Sequence, residues 1–152
     1  MRAASLVQPK LATAILALAG IAVAGYLTIV HYQDELLVCS VGNCETVQHS
    51  KYAEIGPIPI AILGLGMYIV LFALNVLRWK RPEYTFWATV AAFAIALCGA
   101  LYAAYLTYIE IAVIDAICQW CVISAILTVL ILIVEGIAVY HLLGVPAADE
   151  DY

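Results

Sequence analysis

Four stretches of this chain carry no charged residue, over residues 11–30, 58–77, 84–109 and 116–134. Each approaches or exceeds the roughly 20 apolar residues that a helix needs to cross the hydrocarbon of a bilayer. No water is available there to hydrogen-bond an open backbone, so a run of this length must satisfy its own amides and carbonyls as a helix. Composition agrees, with 66% of the 152 residues hydrophobic and 11% charged. A soluble domain of this size could not bury that much apolar surface in one core. The sequence predicts an all-α membrane protein, a four-transmembrane-helix bundle with spans at about 11–31, 57–78, 84–109 and 115–141, forming a single domain over 1–152. The first run has some signal-peptide character, because Arg2 and Lys10 precede it and Ala22-Val23-Ala24 resembles a cleavage site, but it is long for such a segment.

Orientation follows from the basic residues. Arg2 and Lys10 precede the first run, Arg78, Lys80 and Arg81 fill the turn between the second and third, and only Lys51 lies on the other side. Positive residues stay in the cytoplasm, so both termini are expected there, in a plasma or inner cell membrane. Residues 31–57 and about 110–115 then face outward. The net charge of −5 says little about partners, since much of it comes from Asp149, Glu150 and Asp151 in a tail expected to be solvated. Lipid is the expected surrounding, and no nucleic-acid partner is expected. Trp79, Trp87 and Tyr140 at one end, with Tyr26, Tyr32, Tyr108 and Trp120 at the other, read as aromatic belts. Gly20, Gly25, Gly64 and Gly66 suit close helix packing. Pro57 and Pro59 suit the first turn of the second span. From Asn43 to Ile55 the outer segment is polar, with apolar Val47, Tyr52 and Ile55. A short surface helix is expected in this first extracytoplasmic loop, capped by Asn43 with Cys44 in its first turn.

The five cysteines are the most informative residues. Cys39 and Cys44 lie in the long outer segment, and Cys118-Gln119-Trp120-Cys121 opens the fourth span. Two pairs thus gather on the side where disulfides persist. Residues three apart share a helix face, so Cys118 and Cys121 can close a disulfide. The unpaired amides of a helix N-terminus stabilise a thiolate there. Cys121 lies about one turn deeper than Cys118, so it is expected to face the bilayer while Cys118 faces the surface. Electrons entering at the loop pair could pass to the helix pair by mixed-disulfide exchange and leave into the membrane. Two inert readings compete: both pairs as structural staples, or all four thiolates on one zinc. No metal is expected, because zinc needs reduced thiolates.

Other polar residues are secondary. Cys98, alone in the third span, reads as a buried small hydrophobe. His49 and Ser50 either steer a thiolate or a quinone, or belong to a solvated loop. Asp115 reads as a helix cap or first-turn anion, with proton transfer as the alternative. Glu135 reads as a snorkelling side chain near the cytoplasmic interface. His31 and His141 read as interfacial.

A cysteine pair in the first outer loop followed by a C-x-x-C opening the fourth helix resembles the vitamin K epoxide reductase family. The resemblance covers residues 11 to about 141 and rests on Cys39 and Cys44, Ser50, Gly56-Pro57-Ile58-Pro59 and Cys118-Gln119-Trp120-Cys121. It implies a thiol–disulfide oxidoreductase. Cys39 and Cys44 would accept electrons from a separate thioredoxin-like or DsbA-like protein. Cys118 would exchange with the loop pair, most naturally through Cys44, and Cys121 would stand beside a quinone ring near Ser50. Prokaryotic members of the family support disulfide formation and reduce ubiquinone or menaquinone. Where animal members hold the vitamin with an asparagine and a tyrosine, this chain has Ile60 and Ala125, which favours a plain quinone over vitamin K epoxide. The DsbB family also has four helices, two cysteine pairs and a quinone, but with the C-x-x-C in the first loop; here the order is reversed. A non-catalytic, disulfide-stapled membrane scaffold is the reading from a different class.

Overall fold

The computed structural model describes residues 2–144, so the acidic tail at Asp149, Glu150 and Asp151 lies outside the described residues. Its long helices are α1 (Arg2–Tyr32), α3 (Ile60–Lys80), α4 (Thr85–Ile109) and α5 (Gln119–Leu142), with a short α2 (Cys44–Gln48) in the first loop. Four segments are long and apolar enough to cross a membrane: Pro9–Tyr32, Ile60–Lys80, Pro82–Ile114 and Gln119–Leu142. The protein is a multi-pass membrane protein. In the bundle α1 packs on α3 and α5, and α4 on α3 and α5, so the helices form a ring in the order α1, α3, α4, α5.

Small residues let the helices approach. Ala24, Ala92 and Ala96 bury against Tyr68, Leu71 and Ile131 at the centre of the bundle. Close backbone approach and dispersion contacts hold helices together where lipid removes the usual hydrophobic drive. Gly20 is needed for this, because a Cβ there would fall into the Tyr68 ring, whereas Gly25, Gly64 and Gly66 have open space beside them. Tyr68 is fully buried and donates its hydroxyl to the Ser124 carbonyl at 2.8 Å, tying α3 to α5.

At the end away from the loops, Arg78 and Glu135 meet inside the bundle. Arg78 donates Nη2–H to Glu135 Oε1 at 2.7 Å and Nη1–H to Oε2 at 2.8 Å. Thr13 donates to the same Oε1 at 2.7 Å, and Asn75 Oδ1 accepts from Arg78 at 3.2 Å. Neither charge reaches the surface, with relative side-chain exposures of 2% for Arg78 and 0% for Glu135. This corrects two expectations. Arg78 belongs to α3 rather than to the turn after it, and Glu135 is paired in the interior rather than snorkelling. An unpaired charge at that depth would be costly, and a bidentate guanidinium satisfies both carboxylate oxygens at once.

The loop end holds the expected short helix with Cys44 in its first turn, and departs from expectation around it. The surface helix is five residues long, and the chain then forms a hairpin of β1 (Glu54–Ile55) and β2 (Ile58–Pro59). The second span therefore starts at Ile60, with Pro59 as N-cap and Pro57 in the hairpin turn. Asn43 precedes α2 without a side-chain cap bond; its backbone amide instead donates to the Ile117 carbonyl at 2.9 Å. Cys98 faces outward from α4 and is exposed, so it is not a buried residue of the bundle.

Candidate active site

The loop and the start of α5 are stitched together. Gly42 forms an antiparallel bridge with Cys118. Glycine is required there, because Gly42 has φ +90° and a Cβ would run into the Ile117 carbonyl. Val41 donates its amide to Gln119 Oε1 at 2.9 Å, and Trp120 donates its indole N–H to the Val38 carbonyl at 2.8 Å. Trp120 packs on Tyr26, whose hydroxyl accepts from the Val38 amide at 2.8 Å. Trp120 is thus a clamp on the cysteine loop.

These contacts bring four cysteines to one place. Cys39 and Cys44 form a disulfide with Cα atoms 6.1 Å apart. Cys118 and Cys121 are free thiols, with their side chains in hydrogen-bonding contact. Cys44 and Cys118 are buried in one apolar cluster with Leu27, Val30, Val47 and Ala116, and Cys39 and Cys121 pack against it. Cys118 is the N-cap of α5. Contrary to the expectation that it faces the surface, Cys118 has no exposure, because the Gly42 segment covers it. Its thiol is held below the ordinary range by the hydrogen bond from the Cys121 thiol, against the opposing effect of burial.

Cys121 opens onto a cavity of about 430 Å³ between α1, α2, α3, α4 and α5. That volume falls within the range of small-molecule sites, as does a mostly apolar wall with a few polar groups. Ser50, Ile60 and Ala125 line this cavity together with Cys121, Gln48 and Ser124. The Ser50 hydroxyl donates to the Val47 carbonyl at 2.8 Å, closing the end of α2. A flat, apolar ring with carbonyl oxygens fits such a space. His49 does not line the cavity, and His31 instead pairs with Glu54 at 3.0 Å.

Glu110 is the site residue that sequence reasoning missed. It begins a π turn, Glu110–Ile114, that ends α4. Asp115 follows in the left-handed region at φ 54°, and the chain doubles back so that the Cys118 amide donates to Glu110 Oε2 at 3.0 Å. Glu110 also contacts the Cys121 thiol, is 5% exposed and lines the cavity. Asp115 is therefore neither cap nor first-turn anion of α5: it is exposed and turns the chain, and the carboxylate at the thiol pair is Glu110. An acid directly after a long charge-free run and eight residues before Cys118 was the available signal.

Four spans with a disulfide and a dithiol gathered at one end of the bundle define a membrane protein of the thiol–disulfide class. Residues 11–135 match the Vitamin K epoxide reductase family, and the chain belongs to that family. Membership makes it a membrane oxidoreductase of thiol–disulfide and quinone chemistry, with a quinone as its small-molecule substrate.

Proposed function

We propose that this protein oxidises a separate thioredoxin-like or DsbA-like protein and passes the electrons to a membrane quinone, as the disulfide-forming prokaryotic members of the family do. The observation that carries the reading is the burial of Cys44 and Cys118 in one cluster with Cys121 open to the cavity. The partner's dithiol reduces Cys39–Cys44 and leaves as a disulfide. A Cys44 thiolate then attacks Cys118 of a closed Cys118–Cys121 pair, releasing the Cys121 thiolate, and Cys39 resolves the mixed disulfide. The reduced helix pair gives two electrons and two protons to the quinone, which becomes the quinol, and the pair closes again. The loop disulfide beside free Cys118 and Cys121 thiols matches the state before that last step.

Ile60 and Ala125 support a quinone rather than vitamin K epoxide as oxidant, because neither side chain has a hydrogen-bonding group to hold the epoxide. With both termini cytoplasmic, the cysteine end faces an oxidising compartment, where the product disulfides persist. Purified protein decides between this reading and the stapled scaffold. Fully reduced protein mixed with excess oxidised ubiquinone or menaquinone should convert about two equivalents to quinol, one for each disulfide recovered. Unchanged quinone would leave the scaffold reading.

A further inference from the structure

We propose that Glu110 is the proton carrier of the helix thiol pair, taking the Cys121 proton as the pair is oxidised and delivering it to an oxygen of the quinone in the cavity. The proposal rests on the quinone reading above. Closing the Cys118–Cys121 disulfide releases two protons and two electrons, and a quinone must gain all four to leave as quinol. The electrons go through the Cys121 sulfur. The protons need a group that touches both the thiol and the cavity, and water is scarce where the walls are apolar.

Glu110 meets both conditions. Its carboxylate contacts the Cys121 thiol and lines the cavity. No other carboxylate, and no histidine, lysine or arginine, lines the cavity among the described residues. Tyr52 and Tyr102 also line it, but phenols are poor acceptors of a thiol proton. The π turn gives the carboxylate this position. Such bulges within helices cluster at functional sites because they redirect one side chain out of helical register. Glu110 Oε2 is fixed by the Cys118 amide at 3.0 Å. The carboxylate receives the Cys121 proton and passes it to one quinone oxygen. As Cys118 closes the disulfide, its own proton follows by the same carboxylate to the second oxygen. Two thiols and one quinone become one disulfide and one quinol, and Glu110 ends as it began.

A purely structural role is the competing account, since an acid near a helix N-terminus is stabilising in itself. Glu110→Gln separates the two: its amide oxygen still accepts from the Cys118 N–H, but it cannot carry a proton. The test uses the full chain in detergent, fully reduced, mixed in a single turnover with a short-chain ubiquinone and, separately, with menadione. Iodoacetamide alkylation of Cys121, read by mass spectrometry, and thermal unfolding are followed alongside. Glu110→Gln should slow quinol formation by about 100-fold or more, the usual range for loss of an acid–base group. Cys121 alkylation should be no slower and unfolding little changed, and Glu110→Asp should recover part of the rate. Quinol formation at the wild-type rate in Glu110→Gln overturns the proposal. So does a parallel loss of alkylation, stability and turnover that Glu110→Asp does not relieve, which would mark a structural residue. If the wild-type protein itself leaves both quinones oxidised, the quinone reading has failed and takes the proposal with it.

Discussion

Arg78 and Glu135 form a two-pronged ion pair across the bundle, joined at 2.7 and 2.8 Å and shielded from the surroundings. Breaking it leaves one buried charge without its partner. Arg78→Ala or Glu135→Ala should destabilise the protein by about 3–5 kcal/mol. An apolar double replacement, Arg78→Met with Glu135→Leu, should cost far less than the sum of the two. Unfolding in mixed micelles titrated with denaturing detergent measures this. Additive losses in the double variant would show that the two residues act separately.

Gly20 and Gly25 lie in the same helix yet should respond differently. A Cβ at Gly20 meets the Tyr68 ring, while one at Gly25 meets nothing. Gly20→Ala should cost about 1–3 kcal/mol by overpacking. Gly25→Ala should be neutral or slightly stabilising, since alanine is the better helix former by about 1 kcal/mol. The same micelle titration reads both. Equal effects would mean that the α1–α3 contact is looser than described.

What the sequence made legible follows from how local its physics is. Charge-free runs announced the four spans, and cysteine spacing put two pairs at one end of the bundle. The Ser50, Ile60 and Ala125 positions came from family resemblance, and they line one cavity with Cys121. Helical periodicity alone could not have joined them, because they come from the loop and two different helices. What stayed hidden depends on how the chain returns on itself. Glu110 reaches Cys118 only through a π turn and a left-handed aspartate, neither of which has a pattern in composition. Arg78 and Glu135 are 57 residues apart on separate helices, and nothing along the chain pairs them. One-turn spacing placed Cys118 nearer the surface than Cys121, but the Gly42 segment that covers it comes from the first loop.

The helix thiol pair should show its coupling by titration. The Cys121 hydrogen bond lowers the Cys118 thiol below the ordinary range. Thiolate absorbance in the ultraviolet should therefore begin to rise below the ordinary thiol titration, in a reduced protein whose loop pair is replaced by serine. In Cys121→Ala the lowering contact is gone, so the onset should move to higher pH and the thiolate fraction near neutrality should fall. With the loop pair left intact, Cys121→Ala should lose quinone reduction while Cys39–Cys44 still exchanges with a small dithiol. An unchanged onset would place the cause elsewhere, such as the helix N-terminus itself.

The relay between the pairs is the central claim, and trapping its mixed disulfide tests it most directly. Thiol–disulfide exchange proceeds through such an intermediate, and Cys44 and Cys118 are the two cysteines buried together beneath the loop. In a Cys39→Ser, Cys98→Ala protein, Cys44 has no loop mate to resolve it, so a Cys44–Cys118 crosslink should accumulate and leave Cys121 free. Mass spectrometry of alkylated, proteolysed protein should show the joined peptides. A Cys39–Cys118 crosslink in the Cys44→Ser counterpart, with no Cys44–Cys118 link here, would reverse the roles within the loop pair. With neither link formed and the helix pair always closed on itself, electron transfer from loop to helix would be contradicted.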